Sequence, residues 1–377
     1  MKRFLYVSFG NANTPGRGVS KKINGQIGAF TRKGYICSFL SGFDTGIVVR
    51  DHEGIEHHSV KKGASVRGQI CDWCIKNAAE FDCVYIRFQF FDLLVLQMLE
   101  AFKKNNTKVV MEIPTYPYED ELKIQGIKGK PKLLCDRLYR DKCASYIDRF
   151  CCPLYDKPIF GVENIQIRNG IDTSCISVRN AQVNDEGIRL LAVASMSRWH
   201  GFERMIEGLH DYYNKGNTRK VIFNVVGEGN ELQKYKDLTK QYQLDDVVVF
   251  WGRKFGDDLE KAYDESDIGV SSLGMHRLNT EISNPLKTVE YLAKGLPVVC
   301  EDGEISISED SPYRFTVPFD DSNIDINSIV EFYDRLYQGK NVETVIADIR
   351  NECEEKCSMD SAMKSVIDFF DSTIERK

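Results

Sequence analysis

Lys287 and Glu290 are the residues of this sequence whose types and spacing most directly suggest chemistry. They lie three positions apart in the segment 283–299, SNPLKTVEYLAKGLPVV, so a helix would place both on one face near its start. Free backbone N–H groups and the helix dipole attract phosphate there, and a lysine adds a point charge. A carboxylate one turn later can accept hydrogen bonds from two vicinal ribose hydroxyls. The pair therefore suggests a nucleoside diphosphate site, and the alternative is a surface ion pair on an ordinary amphipathic helix.

The residues on either side predict the helix that must position this pair. Asn284 is a good N-cap, and Pro285 fits the first helical position. Gly295 is a natural residue just beyond the end of a helix, and 296–300 then reads as an apolar strand. We therefore expect a short helix whose start faces a ligand and whose end leads directly into a buried strand.

The order Pro-Leu-Lys, Glu-Tyr-Leu-Ala and Gly-Leu-Pro-Val-Val within this segment resembles the donor-binding helix of retaining nucleotide-sugar glycosyltransferases of family 4. In that family the helix carries two glutamates separated by seven residues, the second facing the nucleotide ribose and the first facing the donor sugar or the reacting centre. Glu290 matches the second glutamate. The first falls on Ile282, and Glu281 is one residue out of register, so the group that contacts the donor sugar is unassigned. The resemblance implies four donor-binding residues: Asn284, Leu286, Lys287 and Glu290.

The chain has 377 residues, of which 42% are hydrophobic, and this is too long for one ordinary α/β domain, so we expect two domains. No window resembles a membrane span, and the first ten residues hold too short an apolar run for a signal peptide. We therefore expect a cytoplasmic protein whose twelve cysteines stay reduced. Cys71 and Cys74 form one Cys-x2-Cys pair without a matching second pair, so no metal site is predicted.

Charge is distributed unevenly along the chain, whose overall net charge is −6. Residues 1–172 hold 26 Lys and Arg against 19 Asp and Glu, a net charge of +7, and residues 173–377 carry −13. The acidic total argues against a general nucleic-acid binder. A basic first half suggests that only this half approaches something anionic.

The first half reads as alternating strands and helices, which predicts a doubly wound domain. We expect strands at 4–8, 35–40, 83–87 and 108–113, and helices at 19–32, 70–80 and 93–103. The loop 10–18 lacks the third glycine of a dinucleotide-binding fingerprint and alone reads as a surface loop. It is similar, however, to the glycine-rich loop that bends over the donor phosphates in the family named above. By that resemblance Gly18 is a candidate backbone contact to the donor.

Glu112 lies where the strand 108–113 enters the loop MEIPTYPYEDE, and strand ends of this kind are where α/β sites form. We expect either a catalytic site residue or a capped, half-buried carboxylate. Many family members carry a histidine near this point, and none is present here.

Residues 123–149 hold eight basic and three acidic residues, with leucines interspersed in a helix expected to start near Pro131. A basic amphipathic helix is typical of contact with an anionic membrane surface, although a helix packed on its own domain explains the same residues. We favour weak, peripheral contact with the inner face of the plasma membrane.

The stretch 169–172, Asn-Gly-Ile-Asp, resembles the hinge of the same family and marks the expected domain boundary. Beyond it, strands followed by loops and helices repeat and predict a second parallel sheet. The family has an arginine and a lysine in the first of these loops that bind the donor diphosphate; Arg198 matches the arginine, and His200 stands in the lysine turn. The alternative for Arg198 is an ion pair with Glu203. Later loops offer three further candidate donor contacts: Gly227, Gly229 and Arg253.

Taken together, the resemblance implies an α/β protein of GT-B architecture, with two Rossmann-like doubly wound domains facing a cleft. The expected parts are an acceptor-binding domain over 1–172, a nucleotide-sugar-binding domain over 173–355, and a C-terminal helix over 356–377 that crosses back to the first domain.

The implied reaction is transfer of a hexosyl group from a nucleotide-diphosphate sugar to a saccharide or polyprenyl-linked acceptor, with retention of configuration, in surface polysaccharide or glycoconjugate synthesis. Positive charge at the diphosphate would come from Arg198, His200 and Lys287. No Asp-x-Asp occurs in the sequence, which favours a metal-independent site with no cofactor beyond the sugar nucleotide. A GT-B nucleotide-sugar epimerase and a non-catalytic partner of an active transferase remain as alternatives.

Overall fold

The computed structural model describes residues 1–10, 18–119, 122, 129–181, 187–278 and 282–374. The chain forms two compact units. The first unit comprises Met1–Arg168 together with Ala362–Lys377, and the second comprises Asn169–Ser361. The chain therefore passes between units four residues before the boundary expected from the sequence, and again within its last helix.

An eight-stranded sheet forms the centre of the first unit. Its strands are β1 (Arg3–Ser8), β2 (Ile36–Phe43), β3 (Gly46–Arg50), β4 (Glu56–Ser59), β5 (Cys83–Arg87), β6 (Lys108–Glu112), β7 (Arg149–Pro153) and β8 (Asn164–Ile167). They lie in the order β4-β3-β2-β1-β5-β6-β7-β8, with β3 and β4 antiparallel to their neighbours and the other pairs parallel. The predicted strands coincide with β1, β2, β5 and β6 within a few residues.

In the part of the first unit that the structure describes, four α-helices connect these strands. They are α1 (Gly18–Arg32), α2 (Val66–Asn77), α3 (Leu93–Lys104) and α4 (Gly129–Ala144). Local capping explains where two of them begin. The side chains of Ser65 and Asp92 accept hydrogen bonds from Gly68 N and Val95 N, at 3.1 Å and 2.9 Å, and so satisfy backbone donors at the starts of α2 and α3.

Six parallel strands form the sheet of the second unit. They are β9 (Ile188–Val193), β10 (Val221–Val226), β11 (Val248–Gly252), β12 (Ile268–Val270), β13 (Val298–Glu301) and β14 (Arg314–Val317). Their order is β11-β10-β9-β12-β13-β14, with every neighbouring pair parallel. The chain direction across the sheet reverses between β9 and β12, and in such sheets ligands bind beyond the carboxyl ends of the strands at that point.

Helices of the second unit lie between or after these strands along the chain, because parallel strands need crossover connections. They are α5 (Phe202–Asn214), α6 (Leu232–Gln241), α7 (Asp257–Asp264), α8 (Leu286–Lys294), α9 (Ile326–Tyr337) and α10 (Val342–Cys357). Most apolar residues of β9, β10 and β13 are buried in one continuous core. Runs of Val, Leu and Ile of this kind are the sequence pattern that predicted these strands.

The last helix, α11 (Met359–Thr373), begins in the second unit and ends in the first. Phe370 is fully buried, and its ring centre lies 6.3 Å from that of Phe4 and 6.0 Å from that of Phe30. Asp371 accepts hydrogen bonds from Lys2 at 2.9 Å and from the Tyr35 hydroxyl at 2.7 Å. The end of the chain is thus packed on the first strand and first helix. Within the described residues, no helix is long and apolar enough to cross a membrane.

Candidate functional site

The loops that follow β9 and β12 meet where the direction of the second sheet reverses. Leu273 N donates to His200 O at 2.8 Å, and Gly274 N donates to Trp199 O at 3.2 Å. Gly201 allows this approach, since its φ is +60° and a Cβ there would lie 2.5 Å from Leu273 O. The two loops therefore form one backbone-bonded floor at the position where doubly wound sheets bind ligands.

The start of α8 differs from the prediction. Asn284 is not the N-cap, because Pro285 is extended (ψ 136°) and the helix begins one residue later at Leu286. The buried Asn284 side chain instead accepts a hydrogen bond from Asn169 N and donates to Ser306 Oγ at 2.5 Å. As predicted, Gly295 ends the helix in the left-handed region, with φ +77°. No side chain caps the first turn of α8, so backbone donors at the helix start remain available to an anion.

Lys287 lies in this uncapped first turn. Its ammonium nitrogen is buried and has no hydrogen-bond partner among the described residues, and it lies 5.4 Å from the centre of the Phe202 ring. Burial lowers the pKa of Lys287 to about 7, although the charge of Glu304 opposes that shift. A buried, unpaired ammonium costs several kcal/mol unless it is neutralised or paired. The side chain is therefore held in a place that an anionic ligand would stabilise.

Arg198 is exposed in the loop after β9, and no carboxylate pairs with it in the part of the chain that the structure describes. The alternative expectation of an ion pair with Glu203 is wrong. Glu203 instead binds Arg277 at 2.7 Å and Lys234 at 3.0 Å, while Arg277 also donates to the backbone oxygen of Arg198 at 2.8 Å. The guanidinium of Arg198 is left to solvent, in the loop that the resemblance assigns to the diphosphate.

His200 is buried and is not a cation at neutral pH, which corrects the expectation that it adds charge at a diphosphate. Its Nδ1 accepts a hydrogen bond from Ser197 N at 2.9 Å, so the ring carries its proton on Nε2. Burial, together with the nearby charge of Lys287, lowers the pKa of His200 to about 3. His200 can donate one hydrogen bond to a ligand, but it cannot replace a lysine.

Gly227 and Gly229 follow β10 and are required by backbone packing. Gly227 has φ +127° and a Cβ there would lie 1.9 Å from Ala194 O; at Gly229, with φ +155°, a Cβ would lie 2.2 Å from Met196 O. The neighbour that excludes a side chain is therefore the chain after β9, and ligand contact is not needed to explain either glycine. Arg253, after β11, lies 3.5 Å from Glu228, and both side chains are exposed.

Glu290 and Leu286 are half-buried on α8. Burial raises the pKa of Tyr263 well above its usual value, and the charge of Glu290, to which the Tyr263 hydroxyl is hydrogen bonded, adds to the rise. That hydroxyl holds the carboxylate of Glu290 at the second turn of α8, one turn beyond Lys287. The structure thus places His200 and Phe202 beside Lys287, with Arg198 in the same loop as His200, whereas Glu290 is bonded to Tyr263 of α7.

Glu112 of the first unit is fully buried, and four donors occupy its oxygens. Lys22 and Arg87 bind Oε1 at 3.0 Å and 2.8 Å; Gln26 and Tyr85 donate to Oε2 at 3.1 Å and 2.9 Å. Burial would raise the pKa of Glu112, but the two cations and the hydrogen bonds lower it to about 2. A carboxylate so acidic and so fully bonded is a poor base at neutral pH, so the structure disfavours the predicted catalytic role and supports a structural one.

Gly18 is the first residue of α1, and residues 11–17 of the loop expected to bend over the donor lie outside the described residues. Among the residues that are described, no group of three or more His, Cys, Asp or Glu could hold a metal ion.

Sequence reasoning missed Glu304, a buried carboxylate beneath the first turn of α8. It is 2% exposed, and its Oε2 accepts a hydrogen bond from Thr288 Oγ1 at 3.1 Å. The available signal was its position, because Glu301-Asp302-Gly303-Glu304 directly follows an apolar strand, where α/β sites collect polar residues. His276 and Arg277 are also polar residues near the site, but Glu301 and Asp321 bind His276 at 2.6 Å and 3.0 Å, so that it serves the packing of its own unit.

A known protein family matches part of the second unit in sequence. Residues 187–334 match the family described as glycosyl transferases group 1. A protein named as a colanic acid biosynthesis glycosyltransferase, WcaL of Escherichia coli K12, is 24% identical over 132 residues, which are 35% of this chain and 32% of WcaL. The chain therefore aligns with about a third of the length of this curated relative.

Solved structures resemble the whole chain. A glycosyltransferase from Rickettsia africae has a TM-score of 0.65 at 14% identity and covers 100% of this chain and 99% of its own. Anabaena HepE in complex with UDP has a TM-score of 0.59 at 12% identity, with 99% and 100% coverage. The predicted fold class is thereby confirmed, whereas the assignment to family 4 in particular stays a prediction. Residues 187–334 thus match the glycosyl transferases group 1 family, and the chain has the α/β fold of GT-B glycosyltransferases, with two Rossmann-like parallel-sheet units.

Proposed function

We propose that this protein transfers a sugar from a nucleotide-diphosphate sugar to a saccharide or lipid-linked saccharide acceptor. The observation that carries the proposal is the buried, unpartnered amine of Lys287 in the uncapped first turn of α8. An anion placed there would meet free backbone N–H groups, the helix dipole and the lysine together. A diphosphate provides the negative charge that this arrangement lacks.

The surrounding residues fit the remaining parts of such a donor. Arg198 has an unpaired guanidinium that can form two parallel hydrogen bonds to phosphate oxygens. Glu290, one turn beyond Lys287, can accept hydrogen bonds from both ribose hydroxyls. HepE, a structural neighbour of the whole chain, binds UDP, which supports a nucleoside diphosphate as the ligand.

Catalysis in this proposal depends on positioning and on positive charge at the leaving diphosphate, without a metal ion or a cofactor. Arg198 and Lys287 supply that charge, and His200 can donate one neutral hydrogen bond. We further propose that the sugar keeps its anomeric configuration, with the departing diphosphate accepting the proton of the acceptor hydroxyl. Proton NMR of the product formed in the first turnovers would distinguish retention from inversion, and an inverted product would refute this part.

A cavity of about 220 Å³ in the first unit is a candidate acceptor subsite. It opens beyond the carboxyl ends of β5 and β6 and has aromatic and apolar walls with one basic residue. Its walls include Phe88, Phe90, Pro114, Tyr118 and Lys132. Aromatic faces suit the apolar faces of sugar rings, and a lysine suits a phosphate or a carboxylate on the acceptor. WcaL is named for the biosynthesis of a polysaccharide, colanic acid, which supports a saccharide acceptor.

Helix α4 supports peripheral membrane contact on the cytoplasmic side. Leu134 and Leu138, one turn apart, are 64% and 70% exposed, and Lys130 and Arg137 are exposed beside them. Each basic residue near an anionic leaflet adds about 1 kcal/mol of attraction. Sedimentation with phosphatidylglycerol vesicles should be lost in Leu134→Ser/Leu138→Ser, and equal sedimentation with neutral vesicles would contradict the proposal.

The donor site is tested by calorimetry without added metal, using UDP, GDP and ADP and their glucose or mannose conjugates. Wild type should bind one nucleotide series, and Glu290→Ala should weaken binding about tenfold or more, since each lost hydrogen bond to a charged group is worth about 1.5–3 kcal/mol. Glu331→Ala, at an exposed position of α9, serves as the matched control and should bind like wild type. Inorganic pyrophosphate should bind both variants equally, because it has no ribose.

One observation favours a second candidate, a non-catalytic partner of an active transferase. The position of the first glutamate of the donor helix is Ile282, so the described site has no carboxylate for the donor sugar at that place. Binding of a nucleotide sugar without turnover toward any saccharide or lipid-linked acceptor would favour this candidate. Isomerisation of the bound sugar nucleotide without an acceptor would instead indicate an epimerase.

A further inference from the structure

Beneath the first turn of α8 lies a cluster of four buried polar side chains: Ser271, Thr288, Glu304 and Ser306. Thr288 Oγ1 and Ser271 Oγ are 2.6 Å apart and lie 3.1 Å and 3.4 Å from Glu304 Oε2. Ser306 donates to Glu304 Oε1 from its backbone N at 2.9 Å and from Oγ at 2.6 Å. Glu304 thus ties the donor helix to the end of β12 and to the loop after β13.

Hydroxyl and amide groups bind the Glu304 carboxylate, and no cation forms an ion pair with it among the described residues. The guanidinium of Arg314 donates at 2.8 Å to the backbone oxygen of Glu304 instead. Burial therefore raises the pKa of Glu304 to about 7, although the hydrogen bonds from Ser306 and Thr288 favour the charged form. At neutral pH this carboxylate is poised between its two protonation states.

Lys287 is adjacent to Thr288 in the same turn, and its amine has no hydrogen-bond partner among the described residues. The other titratable or charged groups that interact with Lys287 or Glu304 come from three elements: neutral His200 from the loop after β9, Cys300 on β13 and Arg314 on β14. None of them forms an ion pair with Lys287 or with the Glu304 carboxylate in the described part of the chain. The first turn of α8 therefore holds a buried amine without a hydrogen-bond partner in the described structure, and the nearby charge that acts on it belongs to a buried carboxylate bonded by hydroxyl and amide donors.

We propose that Glu304 is a positioning residue of the donor site, and that Lys287 and Glu304 take up protons when a nucleotide-diphosphate sugar binds. The inference rests on the proposed donor site. A diphosphate at the start of α8 stabilises the charged ammonium of Lys287 and destabilises a nearby negative carboxylate, so both groups gain proton occupancy. Protonation of Glu304 keeps the hydrogen bonds around its carboxyl group intact. Protonation of Lys287 supplies the positive charge that holds the leaving group.

The sign of the pH dependence follows from this coupling. Bound ligand raises the pKa of each group above its value in the free protein, which is about 7 for both. Affinity is therefore greatest below pH 7 and decreases as pH rises through and above 7. For each proton taken up on binding, the dissociation constant increases about tenfold when the pH rises by one unit in that range.

The test is calorimetry at pH 7.5 in HEPES, imidazole and Tris buffers, whose ionisation enthalpies differ and which add no phosphate that could compete for the site. The ligands are UDP-glucose, ADP-glucose and GDP-mannose, which carry no phosphate group that titrates near neutrality. The dependence of the binding heat on the buffer gives the number of protons taken up. Wild type should take up about one proton, and Glu304→Gln and Lys287→Arg should each reduce that number.

Glu331→Gln is the matched control, because it neutralises a carboxylate at an exposed position of α9, outside the cluster. It should bind with wild-type affinity and wild-type proton uptake, so that a lower uptake in Glu304→Gln or Lys287→Arg reports the titration of those two residues. Tight binding with no proton uptake, or with uptake unchanged in both Glu304→Gln and Lys287→Arg, would overturn the inference and leave the donor site standing. Failure of all three sugar nucleotides to bind wild type would overturn the donor site and the inference together.

Discussion

Both units bury charged side chains at the carboxyl ends of their central strands, yet they treat those charges differently. In the first unit Glu112 is enclosed by Lys22, Arg87 and neutral donors, and every oxygen is occupied. Among the described residues of the second unit, Lys287 has no hydrogen-bond partner, and the donors to Glu304 are hydroxyl and amide groups. The same kind of strand end therefore holds a closed ion cluster in one unit and an open one in the other.

The charges around Glu112 stabilise the fold by pairing with one another, whereas those of Lys287 and Glu304 are suited to pair with a ligand. A buried ion that is fully paired resists the loss of any partner, whereas a buried ion without a partner costs stability until a ligand supplies one. The folded state must compensate for the open cluster through its apolar core. Removal of a charged side chain should therefore lower the free energy of unfolding in the first cluster and raise it in the second.

The largest effect is expected for Glu112→Ala, which leaves two buried cations uncompensated. We expect a loss of about 3–5 kcal/mol in the free energy of unfolding, measured by urea denaturation. Glu163→Ala is the control, because that carboxylate pairs with Arg149 at an exposed position and should cost less than about 1 kcal/mol. Equal losses in the two variants would show that the cluster around Glu112 is not closed.

Acid should weaken the first unit through the same carboxylate. The pKa of Glu112 is lowered to about 2 in the folded protein, so its stabilising contribution is complete above the ordinary value of 4.5 and is lost as pH falls toward 2. The contribution is on the order of 3 kcal/mol. Unfolding free energies measured between pH 5 and pH 3 should fall more steeply for wild type than for Glu112→Gln, and parallel curves would contradict the assignment.

An opposite pair of effects is expected for Lys287→Met in the open cluster. Removal of the unpaired amine should raise the free energy of unfolding by about 1 kcal/mol, while nucleotide binding weakens at least about tenfold. Lys294→Met is the control on the same helix, because that buried lysine pairs with Glu260. Lys294→Met should lose about 1–2 kcal/mol of stability. A loss of stability in Lys287→Met as well would contradict the claim that its buried amine is unpaired.

The smallest effect concerns His200. Because its pKa is lowered to about 3, the ring should stay neutral from pH 8 to pH 5, and its Cε1 proton resonance should not shift in an NMR titration. Its contribution to stability is present above pH 6.5 and is lost only as pH falls toward 3. His200→Gln identifies the resonance, and a midpoint near 6.5 would show that the site is open to water.

The hydrophobic pattern predicted the alternation of strands and helices. Pro285 and Gly295 predicted the helix that carries Lys287 and Glu290. The hairpin of β3 and β4 was missed, since β4 is an exposed edge strand, Glu-His-His-Ser, with no apolar alternation. The protonation state of His200 could not be predicted, because it depends on burial and on a lysine 87 residues away. Glu304 was missed for the same reason, since its partners Ser271 and Thr288 come from the end of β12 and from α8.

The missing partner of Lys287 also has a consequence for chemical reactivity. A lysine whose pKa is near 7 is largely a free amine at slightly alkaline pH, and a free amine is a nucleophile. Pyridoxal phosphate combines an aldehyde with a phosphate, so it is suited to enter an anion site and form an imine that borohydride then fixes. Peptide mapping after such labelling would locate Lys287 among the many lysines of the chain, and protection by a nucleotide sugar would turn a covalent probe into a reporter of an occupied site.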